Sequence, residues 1–320
     1  MSARLFLASE AFADADQILL ISPPLDLDLT LFGGAELTIV QDRMPDAATW
    51  NKRPVRLEKS IPDDRRFDAA LVFLPRSKAA ARDYIAKASE VAHRVVVDGQ
   101  KTDGVMSVLK DMKSRTSING PVSKSHGKVF WWNSVPLEDW KQHGSILENR
   151  WTVVPGVFSA NHVDPGSALL AKHLPVDLKG RVADLGAGWG YLAARTLETN
   201  PKIKSLYLVE AQGISLDCAR ENVKDLRAVF EWADATTWTA PEKLDAVIMN
   251  PPFHIARTAD QDLGRAFIQA AARNLRARGT LCMVANRHLA YEAALQDAFD
   301  TVREIGADPT YKIFEARKRR

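Results

Sequence analysis

Residues suited to chemistry gather in three short stretches of the C-terminal half. Asn250-Pro251-Pro252-Phe253 follows the apolar run Leu244-Asp245-Ala246-Val247-Ile248-Met249, which reads as a buried strand. Two prolines stiffen the turn and donate no N–H, so their carbonyls are free to accept. The Asn side chain carries a carbonyl acceptor and an amide. Asn250 Oδ1 and the Pro251 carbonyl could therefore take both protons of a planar NH2 group, while Phe253 supplies a face on which a flat base can stack. Such a pair of acceptors would hold an exocyclic amine with its lone pair aimed at an electrophile.

The second stretch, Val182-Ala183-Asp184-Leu185-Gly186-Ala187-Gly188-Trp189-Gly190-Tyr191-Leu192, reads as strand, glycine-rich turn and helix. Glycines let the backbone take positive φ and come close to a ligand, and the following helix offers free N–H groups. The third stretch, Leu206-Tyr207-Leu208-Val209-Glu210, is a further strand with an acid at its carboxyl end. An acid there can accept both hydroxyls of a ribose, as in dinucleotide folds.

These three stretches resemble the class I S-adenosylmethionine-dependent methyltransferases that modify exocyclic or amide nitrogens. Upstream, Pro155-Gly156-Val157-Phe158-Ser159, His162-Val163-Asp164 and Gly166-Ser167-Ala168-Leu169-Leu170 resemble the segment before the glycine turn in ribosomal RNA guanine-N2 methyltransferases. The resemblance implies S-adenosyl-L-methionine as cofactor, S-adenosyl-L-homocysteine as product, and the guanine N2 amine of ribosomal RNA or of the small ribosomal subunit as target. It implies catalytic roles for Asn250, Pro251, Pro252 and Phe253, and a cofactor site of Phe158, Asp184, Gly186, Gly188, Gly190, Glu210, Ala211, Asp234 and Ala235. In that scheme Asp184 holds the methionine ammonium, directly or through water, and Asp234 with the Ala235 amide meets the adenine edge. The sulfonium carries its own leaving group, so no metal is needed.

Each role has a plainer counterpart. Phe158 could be core packing rather than an aromatic at the cofactor's methionine end, and Asp184 a cap on the turn. Asp234 could simply shape a turn. Asp164 could cap the helix Gly166 to His173 or orient the cofactor. Trp189 could be a lid or packing, and His254 is a tempting base that reads better as a neighbour on the turn.

At 320 residues the chain suits two domains. Apolar residues at 46% and charged residues at 26% mark an ordinary soluble globular composition, and a net charge of +3 tolerates a polyanion without requiring one. The two cysteines, Cys218 and Cys282, form no Cys-x-x-Cys pair, which argues against a zinc site and favours a reducing cytoplasm. The apolar start around Leu5-Phe6-Leu7-Ala8 is interrupted by Glu10 and too short for a signal peptide. No run approaches the ~18 apolar residues of a membrane span. The oligomeric state is open, a monomer being one reading.

Elements that would position these residues recur twice. In the first half, residues 17–21, 37–40, 67–73 and 94–97 read as strands, with a helix from Ser77 to Ala92. Phe67-Asp68-Ala69 stands against Leu244-Asp245-Ala246, and Ser22-Pro23-Pro24 lies where the second half has its glycine turn. The expected architecture is α/β: two tandem Rossmann-like methyltransferase domains, the N-terminal one (1–148) degenerate and recognising RNA, the C-terminal one (149–320) a seven-stranded class I sheet. Asp98 to Gly104 reads as a polar turn before a helix over Val105 to Lys113. Lys110, Lys113, Arg115, Lys124 and Lys128 make a basic zone, either an RNA-phosphate surface or a solvated face. Asn133 to Asn149 reads as a linker. Val229 to Asp234 is expected as a strand ending in an acid, and Thr301 to Ile305 with Tyr311 to Phe314 as a hairpin. Asn286-Arg287-His288 could contact RNA, and Arg317-Lys318-Arg319-Arg320 is either a phosphate-binding tail or a frayed end.

Asn-Pro-Pro-Phe also suits adenine-N6 and protein-glutamine methylation, although the glutamine enzymes usually carry a small helical N-terminal domain. A non-catalytic RNA-binding or assembly module is the alternative from another class; the intact glycine turn, Glu210 and Asn250 argue against it.

Overall fold

The computed structural model describes residues 2–252, 254–255, 258–259 and 261–319, and these divide into two compact units, 1–143 and 144–320. The first unit holds β1 (Gln17–Ile21), β2 (Glu36–Val40), β3 (Arg56–Glu58), β4 (Phe67–Phe73), β5 (Ala92–Gln100), β6 (Asn119–Lys124) and β7 (Gly127–Asn133). They form one sheet in the order β3-β2-β1-β4-β5-β7-β6, parallel from β3 to β5 and closed by the antiparallel β7 and β6. Helices α1 (Ser2–Phe6), α2 (Met44–Trp50), α3 (Lys78–Val91) and α4 (Val105–Lys113) complete this unit with short 3-10 turns.

The second unit opens with a small antiparallel pair, β8 (Ser145–Leu147) and β9 (Trp151–Val153), then α5 (Pro165–His173). Its main sheet uses β10 (Gly180–Leu185), β11 (Ile203–Glu210), β12 (Ala228–Trp232) and β13 (Leu244–Met249). Past the two-residue strands β14 (His254–Ile255) and β15 (Thr258–Ala259), it continues with β16 (Leu275–Asn286), β17 (Thr301–Ala307) and β18 (Tyr311–Arg317). Helices α6 (Tyr191–Thr199), α7 (Gly213–Asn222), α8 (Gln261–Asn274) and α9 (Glu292–Ala298) lie between them. The sheet order β12-β11-β10-β13-β16-β18-β17 repeats that of the first unit strand for strand, and the expected terminal hairpin is β17–β18.

Near-continuous apolar runs suit strands buried on both faces. Along β10, Val182 packs into one apolar layer while Ala183 and Leu185 pack into the other. In β1, Leu19 and Ile21 face one layer, Ile18 and Leu20 the opposite one. Each fully buried Val, Leu or Ile contributes roughly 1.5–3 kcal/mol.

The two sheets share their clips as well as their order. Asp68 accepts the amide of Gln17, and Asp245 accepts that of Arg181, so an acid early in the fourth strand holds the start of the first strand in both. Ser22 N donates to Val40 O at 2.9 Å, and Gly186 N to Val209 O at 2.8 Å, closing the same turn. The strand registers place Leu20 where the second unit has Asp184, Gln41 where it has Glu210, and Phe73 where it has Asn250. The N-terminal domain is thus a degenerate copy: its turn keeps the positive φ, +53° at Ser22 against +75° at Gly186, while both acids and the Asn are gone.

Several expected features differ. Asp98 is no turn residue: β5 runs on to Gln100, and the Asp98 carboxylate is buried on it against the Arg4 guanidinium of α1. Burial pushes this carboxyl above its usual range, and Arg4 opposes that. The expected linker is partly structured, because Trp140 inserts into the first core beneath the Arg82 and Arg115 guanidinium groups. In the basic zone, Arg115 forms a two-pronged bond with Asp139 and Lys128 bonds Ser123, while Lys110, Lys113 and Lys124 are exposed. β12 stops at Trp232, so Asp234 lies two residues beyond it. Arg287 is drawn to the Asp308 carbonyl and Glu304. The basic end is engaged: Arg317 closes β18, Lys318 bonds the Leu275 carbonyl and Arg319 pairs with Asp300; Arg320 lies outside the described residues.

Candidate active site

The carboxyl ends of β10, β11 and β13 bring the glycine turn, Glu210 and Asn250 to one edge of the second sheet. Gly186, Gly188 and Gly190 all take positive φ, at +75°, +54° and +90°. Their reasons differ. A Cβ on Gly188 would meet nothing within 4 Å, so the chain there faces open space. A Cβ on Gly190 would sit 2.9 Å from Val223 Cγ2 and 3.2 Å from Ala219 Cβ; that glycine lets α6 start against α7 rather than admitting a ligand. Gly186 would approach Phe267 at 3.3 Å and Pro252 at 3.9 Å, tying the turn to the Asn-Pro-Pro bend.

A pocket opens beside the turn, with Phe158, Asp164, Ser167, Gly188, Tyr191 and Asn250 in its wall. Phe158 is 56% exposed, which excludes the core-packing reading. Its carbonyl accepts the Trp189 indole N–H at 2.9 Å, and the Gly156 carbonyl accepts Gln212 Nε2 at 3.3 Å, so the segment before α5 is strapped to the glycine turn and to the start of α7. Trp189 is buried, packing with Trp151 and Tyr191 as one aromatic cluster.

Asp184 is wholly buried near the end of β10, and neither carboxylate oxygen has a hydrogen-bond partner among the described residues. Burial, followed by the nearby Glu210 charge, pushes its pKa up to about 8. A buried carboxyl with no donor is costly, so a site that retains one is built for a donor from outside. Glu210 is already engaged: its Oε2 accepts Gly188 N and its Oε1 accepts Gln212 N, both at 2.8 Å. Each carboxylate oxygen has further lone pairs, so the acid steadies the turn and can still accept from a diol. Ala211 gives its carbonyl to the Trp232 indole. Asp234 Oδ1 accepts both the amide and the hydroxyl of Thr236, which is the turn role, and Ala235 is buried beside it.

Asn250 is half-buried at the end of β13. Its Nδ2 donates to Asp164 Oδ2 and to Ser167 Oγ, each at 2.8 Å. Among the described residues nothing donates to Asn250 Oδ1 or to the Pro251 carbonyl. Pro251 is buried and Pro252 exposed. Phe253 and the side chain of His254 lie outside the described residues. Asp164 also caps α5, accepting Ser167 N at 2.7 Å, ahead of Pro165 at the first helical position. Sequence reasoning found Asp164 as a cap but missed its bond to Asn250. It also missed Tyr191, whose only signal is its place in the first turn after the last glycine.

The groups fit the implied cofactor: an orphaned acid under the turn, a second acid at the next strand end, and a glycine facing open space. This strand order, with that turn and an Asn-Pro-Pro bend after the fourth strand, defines a class I S-adenosylmethionine-dependent methyltransferase. More narrowly, the chain belongs to the methyltransferase small domain family, whose profile matches residues 148–315.

Relatives named ribosomal RNA small subunit methyltransferase C resemble most of the chain. The protein of Shewanella loihica is 29% identical over 81% of this chain and 79% of its own length. That of Psychromonas ingrahamii is 28% identical over 78% and 76% respectively. The solved structure of a T. thermophilus 16S rRNA N2 methyltransferase in complex with AdoMet and guanosine superposes with a TM-score of 0.78 at 22% identity. It covers 95% of this chain and 88% of its own, so both halves share its fold. Among the described residues no helix is long and apolar enough to cross a membrane, and no cluster of His, Cys, Asp and Glu could hold a metal ion.

Proposed function

We propose that this protein transfers a methyl group from S-adenosylmethionine to the exocyclic N2 amine of a guanine in small-subunit ribosomal RNA, in the cytoplasm. The observation that carries the proposal is Asn250, whose Oδ1 is left unengaged in the pocket wall beside the glycine turn. The names of the relatives above and the guanosine in the T. thermophilus structure support the choice of base.

The cofactor, when bound, supplies an electrophilic methyl together with its own leaving group. In this reading Asp184 would receive the ammonium, Glu210 the ribose hydroxyls, and Asp234 with Ala235 the adenine edge. Phe158, exposed in the pocket wall, would cover the methionine end. The guanine amine is a poor nucleophile because its lone pair conjugates with the ring. Hydrogen bonds to Asn250 Oδ1 and the Pro251 carbonyl favour a pyramidal nitrogen and stabilise the positive charge that develops on it. Phe253 is the residue this reading assigns to stacking on the base, and Pro252 stiffens the bend after Asn250. No side chain has to remove the proton early, because the methylated amine is strongly acidic. The base reaches the pocket unpaired or flipped, at a few kcal/mol. The first domain serves substrate recognition, with Lys110, Lys113 and Lys124 as exposed phosphate contacts.

The test is methylation of small-subunit ribosomal RNA, then of assembled subunits, with labelled S-adenosylmethionine and nucleoside analysis. N2-methylguanosine is expected. Label in N6-methyladenosine or in protein, or none in either substrate, overturns the proposal.

A further inference from the structure

We infer that Asp164 and Ser167 are positioning residues that fix and polarise the Asn250 amide, so that its Oδ1 is the atom presented to the target amine. The inference rests on the guanine-N2 function proposed above and adds to it two residues that need not touch substrate.

A primary amide has two N–H groups, and both of those on Asn250 are used, one on the Asp164 carboxylate and one on the Ser167 hydroxyl. Turning the amide over would set Oδ1 against a carboxylate oxygen, acceptor on acceptor. One orientation is therefore enforced. Without these partners an Asn at this bend would turn its donor or its acceptor to the pocket with little preference, and a donor cannot hold an NH2 group.

The partners are themselves held by backbone. Asp164 Oδ2 accepts Ser167 N at 2.7 Å while it accepts Asn250 Nδ2, so the cap of α5 and the lock on Asn250 are the same oxygen. Gly166, between the two, makes room for this. A Cβ there would come 3.1 Å from Asp164 Oδ2 and 3.0 Å from Tyr311 Cε1, tighter than ordinary contact. Ser167 is buried, which keeps its hydroxyl away from bulk water.

The charge matters as well as the geometry. A carboxylate on the N–H side of an amide draws its protons and shifts electron density towards the amide oxygen. Oδ1 of Asn250 is then a stronger acceptor for an amine that becomes positive as the methyl arrives. Ser167 contributes orientation without charge, so the two residues can be told apart.

The experiment uses the full chain with labelled S-adenosylmethionine and small-subunit ribosomal RNA, comparing Asn250→Ala, Asp164→Asn, Ser167→Ala and the doubles of each of the latter two with Asn250→Ala. Asn caps a helix as well as Asp does, so D164N keeps α5. Asp164→Asn is expected to lower kcat about tenfold, the scale of one hydrogen bond to a charged group, and Ser167→Ala about fivefold, the scale of a neutral one, each with KM for the cofactor within about twofold. Neither is expected to lower kcat further once Asn250 is Ala, because each acts through that amide. Additive losses in the doubles, or wild-type kcat in D164N and S167A, overturn the positioning role. Wild-type kcat in N250A instead removes the proposed function itself, so the two failures are distinct.

Discussion

Replacing Asp184 by Asn tests whether the orphaned acid is held for a cationic ligand. In the folded protein without cofactor its pKa lies at about 8, against 3.8 for an unburied Asp. An acid whose folded pKa is raised leaves stability intact below about pH 4 and drains it as pH climbs towards 8, because only the unfolded chain ionises across that window. At ~1.4 kcal/mol per pH unit, the deficit at pH 7 is of the order of 4 kcal/mol. Asn is isosteric with the protonated acid and never ionises, so Asp184→Asn should be more stable than wild type by about that much at pH 7, the gap closing towards pH 4. Urea unfolding of both proteins from pH 4.5 to 8, without cofactor, measures the gap. S-adenosylmethionine should reverse the ranking, since an ammonium beside Asp184 favours the ionised form: wild type gains more from the cofactor, binds it more tightly as pH rises towards 8, and releases a proton on binding. Calorimetry in two buffers of different ionisation enthalpy counts that proton. A stability gap that is absent, or that does not shrink with acid, refutes the burial argument; equal cofactor affinity in both proteins refutes the ammonium role.

Asn250→Ala should leave cofactor affinity intact and lower the methylation rate about 10²-fold, the scale of losing one transition-state hydrogen bond; calorimetry paired with single-turnover rates checks it. Gly188→Ala and Gly190→Ala should separate. The first, facing open space, weakens cofactor binding at a stability cost of about 1 kcal/mol for its left-handed φ; the second drives a methyl into Val223 and melts earlier by about 1–3 kcal/mol in thermal denaturation. Arg4→Ala strands the Asp98 carboxylate in the first core and should cost about 3–5 kcal/mol in urea unfolding, while Arg4→Ala with Asp98→Ala recovers part of that loss. Phe158→Ala should leave unfolding within ~0.5 kcal/mol, since the ring packs on little, while raising the Kd for S-adenosylmethionine.

What the sequence disclosed was mostly what is written in unbroken apolar runs. β1, β4 and α4 fall on the expected residues because each is a run of buried side chains or a clear helical face. β3 and β6 escaped because they are short, half-exposed and polar, so no period marks them. The polar look of Asp98 misled for a different reason: its partner Arg4 lies 94 residues away, and local composition carries no trace of it. In the active site, the glycine turn and the Asn-Pro-Pro bend were legible because they are contiguous. The bond from Asn250 to Asp164 spans 86 residues, and Asp-Pro-Gly-Ser by itself announces only a helix start. Asp234 shows the converse, a residue expected as a ligand contact whose local turn role, also open in the sequence, is the one the structure displays.

The paired turns at Ser22 and Gly186 separate two things that active sites usually present together. One positive φ and one backbone hydrogen bond survived in both copies, yet only one kept the later glycines and the acids that give the turn a use. A probe that recognises the bend at the end of each first strand would count two such bends along this polypeptide, whereas one that senses charge would count a single site. Ligand-induced protection from hydrogen exchange should accordingly gather at residues 184–190 and spare residues 20–22, although Ser22 and Gly186 make the same backbone bond to the neighbouring strand.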